Sequence, residues 1–153
     1  MAGDPIRLRA AAVAWAMVFA SVLLGGIFMA EQPQAEDTAN GVREVVQLQL
    51  QAFSADDARK AFALADPGIR DKFGDAEEFM AMVRAQYPMV HRPASVMYLK
   101  PESDGDIAFQ KVRLTDTEGG AWTVTYLLNR QKESKQWLIS ACLVEPDAPR
   151  VTA

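Results

Sequence analysis

Hydrophobic residues follow three different patterns along the chain, and each pattern predicts a different kind of element. Residues 10–30 contain no charged side chain. Residues 42–87 repeat their apolar positions about every 3.6 residues, the period of a helix with one buried face. Residues 95–144 alternate apolar and polar positions in short runs, as half-buried strands do. This order predicts an N-terminal transmembrane helix followed by an α+β domain, in which helices pack against an antiparallel sheet.

The uncharged segment 10–30 is long enough to cross a bilayer, because a helix of that length extends about 30 Å. Arg7 and Arg9 precede it and acidic residues follow it, so we expect the N-terminus in the cytoplasm and the domain outside. The alternative is a signal peptide that is cleaved after export. A cut after Ala30 would need a small residue where Phe28 stands, so we favour an uncleaved anchor.

These patterns divide the chain into five parts. The polar stretch "EQPQAEDTAN" has no apolar periodicity and reads as a linker. The predicted parts are a cytoplasmic n-region (1–9), a transmembrane anchor or signal segment (10–30), a linker (31–40), an α+β soluble domain (41–146) and a C-terminal tail (147–153).

Capping patterns divide the first half of the domain into helices. Ser54 and Asp57 have the spacing in which a side chain at the helix start accepts from free backbone N–H groups. Asp66 precedes Pro67, which is favoured at the first helical position, and Asp75 begins another cap. We therefore expect several short helices after a longer amphipathic one.

The second half is rich in β-branched and aromatic residues, and its connections are short and polar, which favours antiparallel hairpins. On the second strand, Ile107 and Phe109 fall out of step with Val112 and Leu114, so we expect a β-bulge near Gln110. The four predicted strands are 95–100, 107–114, 121–129 and 136–144.

Several runs of residues, in this order, resemble a known family. They are "QAFSADDARKAFALADPGIRDKFGDAEEFMAMVRAQYPMVHRP", "AWTVTYLLNRQ" and "WLISACLVEP". Over about residues 44–146 they resemble the bacterial domain of unknown function 4864, in the nuclear-transport-factor-2-like superfamily. The resemblance implies a cone-like fold of helices on a curved four-stranded sheet, also described as cystatin-like, often dimeric and often with an apolar pocket. It implies no reaction, because that superfamily contains isomerases, dehydratases and many non-enzymatic domains.

Composition and charge exclude several classes of function. The formal net charge is −4 and no basic cluster is interleaved with aromatic residues, so nucleic acid is not an expected partner. One His and one Cys, without metal-ligand spacing, predict no metal site, and we expect no cofactor. The single cysteine, Cys142, lies between apolar neighbours, so we expect a small buried side chain rather than a nucleophile.

Six aromatic and imidazole side chains are candidates to line an apolar pocket, since they combine apolar walls with polar tips. Packing in the core is the alternative that their spacing favours. The carboxylates Asp66 and Glu78 are the nearest candidates for a base, and both are better explained as parts of helix caps. The six pocket candidates are Tyr87, His91, Tyr98, Trp122, Tyr126 and Trp137.

The single histidine, His91, lies between Pro88 and Pro93. Each proline fixes its own φ and pushes the residue before it, Tyr87 or Arg92, out of the helical region. We expect the segment to run extended from the last helix into the first strand. No carboxylate close in sequence is free to orient the ring, so His91 is predicted to be a joint rather than a catalytic base.

Three hypotheses about function follow. The first, which we favour, is a membrane-tethered, non-enzymatic module on the outer side of a bacterial inner membrane that binds a small apolar ligand or a protein. The second is an isomerase or hydrolase that uses His91 as its base, and the third is a structural component of an envelope assembly. Expected partners are the membrane, through residues 10–30, and a second copy in a homodimer. Secretion to the periplasm after cleavage is the alternative localisation.

Overall fold

The computed structural model describes residues 33–147, which form five helices followed by a five-stranded antiparallel sheet. The predicted α+β class, with helices packed on one face of the sheet, is confirmed. The helices are α1 (Pro33–Ser54), α2 (Ala58–Ala63), α3 (Pro67–Phe73), α4 (Ala76–Gln86) and α5 (Pro88–His91). The strands are β1 (Ser95–Tyr98), β2 (Glu102–Asp104), β3 (Ile107–Thr115), β4 (Ala121–Arg130) and β5 (Trp137–Pro146).

The transmembrane helix predicted at 10–30 lies outside the described residues. Among the helices of the described region, none combines the length and the apolar content that crossing a membrane requires. Helix α1 begins at Pro33, so most of the segment predicted as a linker is helical. Proline is tolerated in the first helical turn, and the Gln, Ala and Glu residues that follow are good helix formers, which outweighs the missing apolar face.

Aspartate side chains begin three of the short helices. Asp66 accepts from the Ile69 backbone N–H at 3.0 Å and Asp75 from the Glu78 N–H at 2.8 Å, which confirms both predicted caps. The third cap differs from the prediction, because Asp57 itself is the cap residue of α2 and accepts from the backbone N–H of Lys60. Each such cap satisfies a backbone donor that the helix leaves unpaired, which contributes about 1 kcal/mol.

The sheet has one more strand than predicted. Strands β1 and β2 both pair with β3, β1 along its second half and β2 along its first. The sequence of β2 was assigned to a connection because it is short and polar. Gly105, with φ of 59°, allows the chain to reverse tightly enough for Asp104 to pair with Ile107.

The bulge predicted near Gln110 is wrong. Strands β3 and β4 pair without interruption from Ile107 to Thr115. Gln110 faces inward, as do the apolar residues two positions before and after it on β3. Ile107 and Phe109 are out of step with Val112 and Leu114 because they face outward, although they are apolar. The register shift lies between β4 and β5, where the partners change from Ala141 to Ile139 and leave Ser140 as an extra residue.

The core lies between the helices and the inner face of the sheet. Around Phe79 on α4, three other rings have centroids 5.4 to 5.9 Å away. The chain before α3 is hydrogen-bonded to β5, because the backbone of Ile139 donates to Leu64 and accepts from Asp66. This bridge holds α3 against the sheet edge near the bulge. The three rings around Phe79 belong to Phe53, Phe62 and Phe73.

Candidate functional site

An open cavity of about 680 Å³ lies between α1, α3, α4 and the last two strands. Its walls are mainly aromatic and aliphatic. The cavity extends to the bulge on β5, where the consecutive residues Ser140, Ala141 and Cys142 have short side chains that leave space above the sheet. The apolar wall residues are Phe53, Ile69, Phe73, Phe79, Met82, Val83, Val90 and Ile139.

The sheet side of the cavity has a polar end at Tyr126. The Tyr126 side chain is 1% exposed, and within residues 33–147 its hydroxyl makes no hydrogen bond of regular geometry, while the Cys142 thiol lies close enough to interact with it as a weak partner. Cys142 is its cross-strand neighbour on β5. Burial raises the pKa of Tyr126 well above its ordinary value, and the nearby Cys142 thiol adds to that effect. The hydroxyl therefore keeps its proton at neutral pH.

Cys142 was expected to be a buried side chain, and that expectation is wrong. Cys142 is exposed, because it borders the open cavity beyond the bulge. Protein atoms nevertheless surround the thiol, and this burial raises its pKa to about 12. Both observations describe a group inside a concave wall, which solvent reaches and the low-dielectric protein still encloses. The thiol is protonated at neutral pH and is a poor nucleophile.

Gln110 is the cross-strand neighbour of Tyr126 on the other side, and it is fully buried. Its amide nitrogen donates to the carbonyl oxygens of Leu99 at 2.7 Å and Lys111 at 2.8 Å. These two bonds fix the orientation of the amide and leave its oxygen without a partner in the described structure. Two adjacent strands thus carry unpaired buried polar atoms beside each other.

Charged side chains border the cavity only on the α3 side among the residues of the described structure. They are Asp66 and Lys72. The Asp66 carboxylate accepts from the Ile69 N–H as a helix cap. The Lys72 ammonium lies 5.7 Å from the centre of the Phe73 ring and is exposed. Neither carboxylate nor ammonium lines the strands at the Tyr126 end.

The six pocket candidates are separated by the structure. Tyr87 and Tyr126 border the cavity, whereas the other four lie elsewhere. Trp122 donates to Asp116 at 2.8 Å in the β3–β4 hairpin, and the buried Trp137 has a guanidinium over its ring. Tyr98 is half-buried on β1, and burial raises its pKa. The sequence analysis missed the wall residues near the bulge, because the register shift that leaves this part of the inner face open has no local sequence pattern.

His91 lies in a turn of helix rather than in an extended segment, so that part of the prediction is wrong. Pro88 occupies the first helical position, which a proline can do without losing a hydrogen bond. The residues before both prolines, Tyr87 and Arg92, are outside the helical region as predicted. His91 is absent from the cavity wall.

His91 has a carboxylate partner that lies 35 residues away in sequence. Its Nε2 is 2.7 Å from Oδ1 of Asp56, and the same oxygen accepts from Arg84 at 3.0 and 3.2 Å. Arg92 binds the other carboxylate oxygen. The hydrogen bond from His91, followed by that from Arg84, lowers the pKa of Asp56. We call these four residues the Asp56 cluster; an ionised carboxylate can only accept, so Nε2 carries the proton.

Within residues 33–147, no three His, Cys, Asp or Glu side chains come together as metal ligands would. The single His and the single Cys of the chain lie at different sites: His91 belongs to the Asp56 cluster, and Cys142 borders the cavity. The polar groups at the Tyr126 end of the cavity are therefore a protonated hydroxyl and a protonated thiol, and the charged groups Asp66 and Lys72 lie on the α3 side.

Comparison with solved structures finds similarity to NTF2-like (nuclear-transport-factor-2-like) proteins of unknown function. The one from Shewanella baltica OS155 has 11% sequence identity and a TM-score of 0.50, covering 74% of this chain and 96% of its own. Those from Pseudomonas putida KT2440 and Burkholderia xenovorans LB400 have 13% and 14% identity and TM-scores of 0.48 and 0.46. They cover 76% and 72% of this chain and 92% and 85% of their own. Their descriptions do not use the term cystatin-like.

No curated protein matches this chain. The sequence profile of one family, described as a domain of unknown function (DUF4864), matches residues 35–152. That range contains every described element except the first residues of α1. The chain therefore belongs to the family of the domain of unknown function DUF4864, and its domain has the NTF2-like fold.

Proposed function

We propose that the domain is a non-catalytic module that binds a small, largely apolar molecule in the cavity beside Tyr126. The observation that carries this proposal is the open cavity itself, with a volume of about 680 Å³. Pockets that hold small ligands have volumes of roughly 300 to 1,000 Å³ and are lined mostly by apolar side chains with a few polar groups. This cavity has that size and that lining.

The cavity is maintained by its walls. Phe79 is buried among three other rings, and the bridge between the α2–α3 connection and β5 holds α3 in place. Protein interiors otherwise pack densely, so an apolar space of this size is costly to leave to water. A ligand that buries apolar surface there gains about 25 cal/mol for each Å² removed from water.

The protonation states of the cavity residues favour binding over catalysis. A general base must be deprotonated near neutral pH. Burial raises the pKa of Tyr126 and Cys142, so both stay protonated there. The Asp66 carboxylate is engaged as a helix cap. An enzyme that uses His91 is the alternative, and His91 is oriented by Asp56 as a base would be, but it does not border the cavity.

The test is the binding of a neutral fluorescent probe, phenylnaphthylamine, to the full-length chain. Met82 on α4 lines the cavity, so Met82→Trp should fill part of it and weaken binding at least about tenfold, which is about 1.4 kcal/mol. Ala85 is exposed on the same helix and is not a wall residue, so Ala85→Trp is the control and should bind as the unmodified chain does. All three proteins are measured in the same medium. Partition of the probe into that medium is then equal for the three and does not affect their comparison.

Two results would refute the proposal. One is the absence of saturable probe binding by the unmodified chain. The other is equal binding by the Met82→Trp and Ala85→Trp chains, since probe bound elsewhere would not respond to the filling of this cavity.

We also propose a homodimer that forms through the outer face of the sheet, because that face carries exposed apolar side chains. Met97, Phe109 and Leu143 lie on that face, on three different strands, and are about half exposed or more. Arg113 and Glu145 flank β4 in one row of the same face. A two-fold axis along β4 would bring Arg113 of one copy opposite Glu145 of the other.

The oligomeric state tests this partner. Phe109→Lys replaces one of these exposed apolar side chains with a charge and should halve the mass measured by light scattering. Lys132→Glu, which changes a charge in the exposed β4–β5 connection, should leave the mass unchanged. A wild-type chain that stays monomeric at high concentration would refute the homodimer.

The proposed location is the outer side of a bacterial inner membrane, attached through residues 10–30. Support comes from the sequence alone, from the uncharged run and from Arg7 and Arg9 before it. The mass of the purified full-length protein tests the attachment, because a mature N-terminus near residue 31 would identify the segment as a cleaved signal.

A further inference from the structure

The Tyr126 hydroxyl is the strongest indication of what the cavity binds. A buried polar group without a partner costs about 1 to 3 kcal/mol, and native proteins seldom leave one. Tyr126 borders the cavity, and in the described structure its hydroxyl makes no hydrogen bond of regular geometry; the Cys142 thiol, a weak acceptor, lies beside it. A ligand group that pairs with this hydroxyl recovers that free energy.

The hydroxyl is available as a donor. Burial raises the pKa of Tyr126, so the proton remains in place over the physiological pH range. The neighbouring Cys142 also keeps its proton, because its pKa is about 12. Adjacent strands therefore carry an O–H and an S–H group side by side at the same end of the cavity, the S–H exposed and the O–H closed behind it, and an acceptor atom is what pairs with them.

The surroundings disfavour a charged ligand group at this end. A charge buried without a counter-charge is expensive. Of the described residues that line the cavity, only Asp66 and Lys72 are charged, and both belong to the α3 side rather than to β4 or β5. The acceptor that fits is uncharged.

We propose that the ligand of this cavity is an apolar molecule with one uncharged carbonyl group, whose oxygen accepts a hydrogen bond from the Tyr126 hydroxyl. This inference rests on the proposed binding function. The hydroxyl is closed to solvent, whereas its neighbour Cys142 is exposed to the cavity. The ligand therefore reaches the hydroxyl through a change of the Cys142 rotamer, a fast motion for an exposed side chain.

Three probes of nearly equal shape test the carbonyl. They are acetylnaphthalene, isopropylnaphthalene and naphthoate, which differ in having a carbonyl, no acceptor or a carboxylate. Acetylnaphthalene should bind the full-length chain most tightly. Tyr126→Phe should weaken its binding about five- to tenfold, because one hydrogen bond contributes about 1 kcal/mol, and should leave isopropylnaphthalene unchanged. The carbonyl stretching frequency of bound acetylnaphthalene should rise in that variant.

Two further variants complete the test. Ser134→Ala removes an exposed hydroxyl in the β4–β5 connection that does not border the cavity, so it should change none of the three affinities. Cys142→Leu enlarges the side chain beside the hydroxyl and should abolish the preference for the ketone over the hydrocarbon.

The outcomes separate this inference from the function on which it rests. Equal binding of ketone and hydrocarbon, no effect of Tyr126→Phe on the ketone, or tighter binding of naphthoate would overturn the carbonyl while cavity binding stands. No binding of any of the probes, together with no phenylnaphthylamine binding, would overturn both.

Discussion

The Asp56 cluster and the Tyr126 end of the cavity are two places in residues 33–147 where polar side chains lie close together, and they differ in pairing and in exposure. Asp56 is exposed and accepts from Arg84, His91 and Arg92. Tyr126 is almost fully buried, and in residues 33–147 its hydroxyl has a weak interaction with the Cys142 thiol but no regular hydrogen bond. The cluster contains the residue types usually associated with catalysis, yet each is already satisfied by another part of the protein.

This difference indicates where function lies. A paired cluster at the surface joins the α1–α2 turn, the end of α4 and the segment after α5, which is a structural task. A hydroxyl without a regular hydrogen bond beside an apolar cavity can still form one with a ligand, and that bond would stabilise the complex. Under the proposed function, His91 therefore has a structural role and Tyr126 is the candidate for ligand binding.

The largest expected effect comes from Phe79→Ala, which removes the ring at the centre of the cavity wall. Burial of a ring among three others predicts a loss of about 3 to 5 kcal/mol in the free energy of unfolding, measured with urea. Arg84→Ala on the same helix removes an exposed ion pair of the Asp56 cluster and should cost far less. Similar losses in the two variants would contradict the account of both regions.

Asp56→Asn tests the cluster and should have a smaller effect. Asp56 has φ of 55°, and asparagine tolerates this left-handed conformation, so the substitution isolates the charge. The folded-state pKa of Asp56 is lowered from 3.8, so its ionisation stabilises the fold above pH 3.8, and that stability is lost as the pH falls through the lowered value.

The free energy of unfolding of Asp56→Asn should therefore be below that of the wild type at neutral pH, and the two should converge below pH 3.8. Glu133→Gln, an exposed change in the β4–β5 connection, is the control and should show no such dependence. A difference that persists unchanged into strong acid would show that the charge of Asp56 is not its cause.

The smallest expected effect on stability is that of Tyr126→Phe. Removing a buried hydroxyl without a partner should leave the free energy of unfolding unchanged or raise it by up to about 1 kcal/mol, because the desolvation cost disappears with the group. Urea denaturation without ligand measures it. A loss of more than about 1 kcal/mol would mean that the hydroxyl is paired within the protein, and the contrast with the Asp56 cluster would fail.

Local patterns in the sequence predicted the elements but not the places where distant elements meet. The caps at Asp66 and Asp75 are local and were predicted correctly. The contact between Asp56 and His91 joins residues that no periodicity relates. The family resemblance was confirmed and implied the fold with a pocket, but it could not identify the wall residues.

Cys142 shows why the site was harder to predict than the fold. Its apolar neighbours predict a buried strand residue, and alternation does turn it toward the side chain of Tyr126. The register shift at Ser140 and the position of α3 decide that this part of the inner face is open rather than packed. Neither feature leaves a pattern in the local sequence.

Labelling of Cys142 tests the central claim most directly, because Cys142 is the single cysteine of the chain and borders the cavity. With a pKa of about 12, the native thiol should react slowly with a maleimide, and its rate should rise about tenfold for each pH unit below that value. Saturating phenylnaphthylamine should slow the native reaction several-fold and leave the reaction of the denatured chain unchanged. A native labelling rate that is the same with and without bound probe would contradict binding in this cavity.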